Sequence, residues 1–422
     1  MAADSVPIAA SDASLPPAVT GAAPSQRLMS LDALRGFDMF WILGAGGIFI
    51  RIQELVNSDA EPRVAWLKTL AEQLKHKDWE GFAFLDLIFP LFVFMVGVSI
   101  VYSLARHLQE QGVARTYLRI VRRFLLLFAM GVIAAGGLTS SWPNVQLSGV
   151  LHRIAWCYLF GAILFCHFRP RTIAALVVVL LVGYWALLSY VPFPNVPMPA
   201  SDGKRIAPDK LPDLSEKFAQ AEKISGSYAK GLNLTNYLDA VYLPGRKHSG
   251  YYSPEGILST MTAVATCLLG VLAGCLLRSP AKDWVKVLLL IGLGAAGVGL
   301  GFAWGPYFPV VKKIWTSSYV LVAGGYSAIL LGLFYLVIDV WKWRWWCLPF
   351  VWIGMNAITV YMVRNLVNIR EIALRLTGGD VVHAVDAWLG KGWHDVLTST
   401  VAFLLIWWLA LFLYRRKVFL RL

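Results

Sequence analysis

Residues 82–101 read FAFLDLIFPLFVFMVGVSIV, an apolar run that contains a single acid, Asp86. A helix of this length crosses about 30 Å of hydrocarbon, so the run predicts a membrane span. A carboxylate inside such a span is costly unless it has a partner or a function. His76 stands just ahead of the run. Together the histidine and the buried acid predict a reaction centre at one face of a membrane.

The composition of the whole chain also indicates a membrane protein. Its 422 residues are 58% hydrophobic and only 15% charged, and its mean hydropathy of +0.61 excludes an ordinary soluble protein. With the run already described, the apolar stretches of spanning length are ten: 37–53, 82–104, 121–138, 149–167, 172–190, 256–277, 284–304, 316–339, 347–367 and 397–414. We therefore predict an all-α, polytopic integral membrane protein with about ten transmembrane helices. An eleventh membrane-associated piece is expected at 370–390, which is amphipathic but too short to span.

The distribution of Lys and Arg predicts the orientation of these spans. Most basic residues of the short connections fall on one side, among them Arg106, Arg115, Arg119, Arg169, Arg171, Arg278, Lys342 and Arg415. By the positive-inside rule that side is cytoplasmic, so both termini lie in the cytoplasm and His76 faces the exterior. The formal net charge of +13 is mostly this topogenic charge, and nucleic-acid binding, which needs a basic soluble face, is not expected.

Two polar segments lie outside the spans. Residues 1–26 are rich in Ala, Ser and Pro and lack the features of a signal peptide, which predicts a disordered cytoplasmic tail ahead of a membrane domain at 27–422. Residues 191–255 form an exterior loop that is longer than a passive connection needs, so we expect a lid or part of an acceptor site. The five cysteines fall within predicted spans and no Cys/His cluster has metal spacing, which predicts neither disulfides nor a metal site.

Several sequence blocks resemble one known family. The first are RLMSLDALRG at 27–36, HKDWEG at 76–81 and DLIFP at 86–90. GVLHR at 149–153, PEGIL at 254–258, Trp315 to Tyr319, and GMN at 354–356 followed by Tyr361 come later in the same order. In this the chain resembles the heparan-α-glucosaminide N-acetyltransferase family, and is closer to its bacterial members linked to N-acetylglucosamine metabolism. The likeness covers nearly everything from 27 to 422.

The resemblance implies a multi-pass enzyme of a bacterial inner membrane. Such an enzyme takes acetyl from cytoplasmic acetyl-CoA and delivers it to an amino sugar on the far side, and dimers are plausible for the family. The family's active-site histidine aligns with His76, which would act as general base or as transient acetyl carrier. One departure concerns the first helix, where the family has an Asn ahead of a glycine cluster and this chain reads LGAGG at 43–47. Asn356 is our candidate to replace that amide.

The chemistry of acetyl transfer suggests roles for further residues. Near neutral pH an imidazole such as His76 can take the proton that an attacking amine loses. Asp86 would hold the ring or bind the amine. Asn356 or Tyr361 would donate hydrogen bonds to the developing oxyanion. No metal is required.

Binding of the two substrates suggests a second set of residues. The phosphates of coenzyme A need cations, which Arg35, Arg122, Arg123 and the intramembrane Arg153 could supply. Asp78, Trp79 and Glu255 are expected to bind the amino sugar. For Arg122 and Arg123 simple positive-inside anchoring is the alternative interpretation, and for Glu255 it is capping of the sixth span.

Two other functions fit the same pattern. A sugar permease would place its ionisable residues along an alternating-access path, although the chain shows no convincing internal duplication. An acyltransferase acting on a lipid or polysaccharide hydroxyl would differ only in its acceptor.

Overall fold

The computed structural model describes residues 28–56, 64–139, 141–200, 206 and 208–419. This part of the chain is mostly helical and has almost no sheet, which confirms the predicted all-α class. The predicted cytoplasmic tail at 1–26 lies outside the described residues. The helices are α1 (Met29–Ile42), α2 (Ala45–Val56), α3 (Ala65–Gln73), α4 (Phe84–Ala134), α5 (Val150–His167), α6 (Pro170–Tyr190), α7 (Ser215–Gln220), α8 (Leu234–Tyr242), α9 (Ser259–Arg278), α10 (Asp283–Trp304), α11 (Ser317–Phe334, continued by a π-helical turn at Tyr335–Val340), α12 (Leu348–Gly354), α13 (Ala357–Leu366), α14 (Ile369–Thr377), α15 (Asp380–Leu389) and α16 (Trp393–Arg415).

Each predicted span overlaps a helix, but the predicted count of ten is not confirmed. Within the described residues seven helices are long and apolar enough to cross a membrane, or up to nine if the bent pairs α1–α2 and α12–α13 each count as one span. Helix α4 covers two predicted spans: its 51 residues would measure about 75 Å if straight, and its backbone is non-helical at Gly112. The stretch at 370–390 forms the short helices α14 and α15.

Glycines allow the central helices to pack at short distance. A Cβ atom on Gly97 of α4 would overlap the carbonyl oxygen of Cys267 in α9, and one on Gly270 of α9 would overlap that of Phe94 in α4. Small residues at helix contacts are the usual means of close packing in membranes, where water does not drive association. In their most apolar windows α4 and α9 are each 67% buried, whereas α10 is 22% buried. Helices α4 and α9 therefore form the centre of the bundle, and α10 lies at its periphery.

A second glycine contact joins two of the sequence blocks. Gly36 of α1 lies against the backbone of Phe350 in α12, and Gly354 at the end of α12 lies against the carbonyl of Asp32. This contact places Asn356, just beyond Gly354, beside the first helix.

The long loop at 191–255 is folded where the structure describes it. Strand β1 (Phe193–Pro194) pairs with β2 (Lys223–Ile224), and β3 (Tyr228–Ala229) pairs with β4 (Leu232–Asn233) to form a hairpin. Asp239 of α8 is fully buried and accepts hydrogen bonds from the backbone N–H groups of Ser253, at 3.3 Å, and Ile257, at 2.9 Å. One carboxylate thus fastens the end of the loop to the turn that precedes α9.

We predict that Gly270→Ala destabilises the protein, because its Cβ atom would drive α4 and α9 apart. Overpacking of this kind costs about 1–3 kcal/mol, so thermal unfolding in detergent should shift down by several degrees. Gly292→Ala in α10 is the matched control, since nothing lies within 4 Å of the position its Cβ would take. An equal shift in both variants would contradict the packing argument.

We also predict a pH dependence that comes from Asp239. Burial raises its pKa from 3.8 to about 6, so between these values the folded protein holds a proton that the unfolded chain releases. Stability from this group is therefore lost as the pH rises through about 6. Thermal unfolding at pH 5 and pH 7.5 should show a smaller difference in Asp239→Asn than in wild type. Glu216→Gln, at an exposed acid of the same loop, should keep the wild-type difference, and an unchanged difference in Asp239→Asn would exclude this carboxyl as its source.

Candidate functional site

Asp86 is the centre of a buried polar cluster at the start of α4. Its side chain is 1% exposed, and Oδ1 lies 2.8 Å from His76 Nδ1. Oδ2 accepts hydrogen bonds from the backbone N–H groups of Lys77, at 3.3 Å, and Ala83, at 3.2 Å. The connection between α3 and α4 therefore wraps around the Asp86 carboxylate. The structure thus brings together the histidine and the acid that the sequence singled out.

Lys312, in the connection between α10 and α11, completes this cluster and was missed by the sequence analysis. Its Nζ atom lies 3.2 Å from Asp86 Oδ1 and 3.1 Å from His76 Nδ1. An ammonium group can only donate, so the consistent network has Lys312 and His76 Nδ1–H both donating to Asp86. The Nε2 atom of His76 then carries a lone pair, and the ring is 56% exposed. Burial lowers the pKa of Lys312, and the Asp86 carboxylate opposes that shift.

A cavity of about 530 Å³, here called the basic cavity, extends from the middle of the bundle to the end that bears Arg106. On α4 it is lined by Phe92, Met95, Val96, Ser99, Tyr102, Ser103 and Arg106. These residues recur every three or four positions and so form one face of the helix. From Phe92 to Arg106 that face is about 21 Å long. The cavity is therefore long and mostly apolar, with cations gathered towards one end.

Four arginines line the basic cavity: Arg35, Arg106, Arg119 and Arg123. Arg35 forms the ion pair with Asp32 that their spacing predicts, at 3.5 Å. Arg123 lies over the ring of Tyr158, 4.5 Å from its centre. Arg122, by contrast, is exposed and is not part of the lining. The structure thus brings Arg35 and Arg123 together and adds Arg106 and Arg119, which sequence reasoning assigned to orientation alone.

Asn356 also lines the basic cavity, near its inner end. The residue is 3% exposed, and neither its amide nitrogen nor its carbonyl oxygen has a hydrogen-bond partner among the described residues. A buried amide without partners costs free energy. Asn356 is therefore available to bind a polar group of a ligand.

A second cavity of about 330 Å³, here called the loop-side cavity, lies where the long loop meets the bundle. Its polar lining comprises Gln146, His152, Arg246, Lys247, His248, Glu255, Tyr361 and Asn365. Glu255 is half-buried, and within the described residues no hydrogen bond or ion pair involves its side chain. Its negative charge opposes the lowering of the pKa of Lys312, as the Asp86 carboxylate does more strongly. His76 itself is in the lining of neither cavity.

Arg153 lies apart from the arginines of the basic cavity. The sequence analysis grouped it with the cations that would bind coenzyme A, but its guanidinium donates to Gly256 and Ser259 at the start of α9. It also lies 4.8 Å from the ring centre of Trp315. These contacts are at the end of the bundle that carries the long loop, opposite Arg106. Arg153 thus lies in the first turn of α5, at that helix's loop-side end, and its binding to coenzyme A stays a prediction.

Asp78 and Trp79 contact the long loop instead of lining either cavity. Asp78 forms ion pairs with Lys230, at 3.1 Å, and Lys313, at 3.4 Å. The hydrogen bond from Lys230 lowers the pKa of Asp78. The indole N–H of Trp79 donates to the carbonyl of Tyr228 at 2.9 Å. These two residues therefore hold the β3–β4 hairpin against the segment that carries His76.

Comparison with known proteins agrees with the sequence blocks. The profile of a domain of unknown function (DUF5009) matches residues 27–197. Heparan-alpha-glucosaminide N-acetyltransferase from Homo sapiens is 28% identical over 390 residues, which cover 82% of this chain and 55% of the human protein. The protein of that name from Mus musculus is 30% identical over 329 residues, which cover 68% of this chain and 48% of the mouse protein. The chain spans about half the length of these relatives, and the resemblance to heparan-alpha-glucosaminide N-acetyltransferases is confirmed over most of this sequence.

Proposed function

We propose that this protein is a transmembrane acetyltransferase that moves acetyl from acetyl-CoA to the amine of an amino sugar. The observation that carries the proposal is the pair of cavities, which approach each other from opposite ends of the bundle. The donor would bind on the cytoplasmic side and the acceptor on the periplasmic side of an inner membrane. The named activity of the human and mouse relatives supports the same reaction.

The basic cavity suits the donor. Coenzyme A has an anionic head and a long uncharged arm that ends in the thioester. Arginine binds phosphates by paired hydrogen bonds, so Arg106, Arg119 and Arg123 would hold the head. The arm would then follow the apolar face of α4 and bring the thioester near Asn356, whose amide would donate to the carbonyl oxygen as negative charge develops there.

The loop-side cavity suits the acceptor. Glu255 would bind the amino group of the sugar, and Tyr361 lines the cavity beside it. Transfer forms a bond between the amine nitrogen and the acetyl carbon and breaks the bond from that carbon to sulfur. The amine loses a proton, and the thiolate of coenzyme A gains one.

His76 would take the proton through Nε2, or would carry the acetyl group transiently on the same atom. Asp86 would act as a positioning residue, since it accepts from the ring at Nδ1, and Lys312 would act through its bond to Asp86. Asp78 and Trp79 would act by closing the hairpin over this segment rather than by binding sugar.

A permease is the second candidate, and one observation favours it. Helix pairs α1–α2 and α12–α13 are bent by 44° and 60°, and interrupted helices often form the substrate sites of transporters. An O-acyltransferase would use the same donor site with a hydroxyl acceptor.

We predict that the purified protein in liposomes transfers radiolabelled acetyl from acetyl-CoA to glucosamine, and that His76→Ala lowers the rate by about 10²-fold or more. His394→Ala is the matched control, because that imidazole also pairs with an aspartate, Asp386, at 3.0 Å but is not part of the Asp86 cluster. Near-normal transfer by His76→Ala would remove His76 from the chemistry. Uptake of labelled glucosamine without acetylation would establish the permease instead.

We predict that Arg123→Gln weakens acetyl-CoA binding about tenfold, which corresponds to about 1.4 kcal/mol. Arg122→Gln should stay within about twofold of wild type, because charge alone at the surface contributes little. Equilibrium binding of radiolabelled acetyl-CoA to the purified variants measures both. Equal losses in the two variants would mean that the arginines act through general charge and not through the basic cavity.

A further inference from the structure

The two cavities are separated by about one helical turn on each of the helices that they share. On α4, Leu127 lines the basic cavity and Gly131 lines the loop-side cavity. On α13, Ile358 lines the basic cavity and Tyr361 lines the loop-side cavity. Three or four residues of helix correspond to about 5–6 Å. The partition between the cavities is therefore about one side chain thick.

Leu151 is the side chain that belongs to both linings. It is 5% exposed and packs in the main hydrophobic core. Its neighbours on α5 differ: Val150 lines only the loop-side cavity and Ile154 lines only the basic cavity. The chain thus carries, within five residues of one helix, an apolar side chain at the partition and one on either side of it.

We propose that Leu151 is the barrier that, while no acceptor is bound, keeps water in the loop-side cavity away from the thioester in the basic cavity. This inference rests on the proposed function. A thioester exposed to water is lost by hydrolysis: a bond forms from water oxygen to the acetyl carbon, the carbon–sulfur bond breaks, and acetate and coenzyme A are released. Active sites that exclude water suppress such side reactions. Leu151 has no polar atom and is well suited to this task, whereas the polar lining of the loop-side cavity admits water.

The first test measures release of coenzyme A from acetyl-CoA without any acceptor. Leu151→Ala should raise this release severalfold over wild type, and Leu151→Val, which removes less volume, should raise it less. Ile154→Ala and Val150→Ala are the matched controls, because each shortens an apolar side chain that lines only one cavity. A rise in the controls as large as in Leu151→Ala would overturn the proposal.

The second test does not depend on activity. A cysteine introduced by Val96→Cys lies in the lining of the basic cavity, and a membrane-impermeant maleimide is added from the side of the long loop. Labelling should be slow with Leu151 intact, fast after Leu151→Ala, and slow after Ile154→Ala, with the parent chain as the background for its own cysteines. Fast labelling with Leu151 intact, or slow labelling after its removal, would overturn the partition. If Leu151→Ala speeds labelling but neither it nor wild type releases coenzyme A, even with glucosamine present, the partition is supported and the proposed function is contradicted.

Discussion

The Asp86 carboxylate is the group on which the loop-side end of the bundle depends. A charged carboxylate among apolar helices must be neutralised and hydrogen-bonded, and here two backbone N–H groups, the His76 ring and the Lys312 ammonium share that task. Tyr319 adds a hydrogen bond to the Asp86 backbone carbonyl. The segment at 76–86 and the connection that carries Lys312 therefore meet at one side chain, and the orientation of the imidazole follows from its hydrogen bond to the acid.

The class of the fold could be predicted from the sequence because hydropathy and length are local properties. The number of spans could not, because the interruptions at Gly112 and at the two bent pairs depend on how the helices pack. The glycines at the helix contacts are visible in the sequence. The contacts between these glycines could not be predicted, since Gly36 and Gly354, for example, are more than 300 positions apart in the sequence. Their contact is what brings Asn356 to the first helix.

The candidate site could be predicted only in part. His76 and Asp86 are close in sequence, and both are ionisable residues at the edge of an apolar run, so their pairing could be inferred. Lys312 could not, because a lysine in a connection resembles any other surface cation until the fold buries it against an acid. The place of Arg106 and Arg119 in the basic cavity could not be predicted for the same reason. The contacts of Arg153 with the start of α9 could not be predicted either, because they join segments about 100 residues apart in the sequence.

One contact between the hairpin and the His76 segment, the ion pair of Asp78 with Lys230, lies at the surface. Asp78 is 76% exposed in its two ion pairs, and exposed pairs contribute at most about 1 kcal/mol. Salt screens such charges over about 8 Å at physiological ionic strength, whereas the side chains of Asp86 and Leu151 are buried. The ion pair between Asp78 and the hairpin is therefore more sensitive to the ionic strength of the medium than the contacts that Asp86 makes inside the bundle.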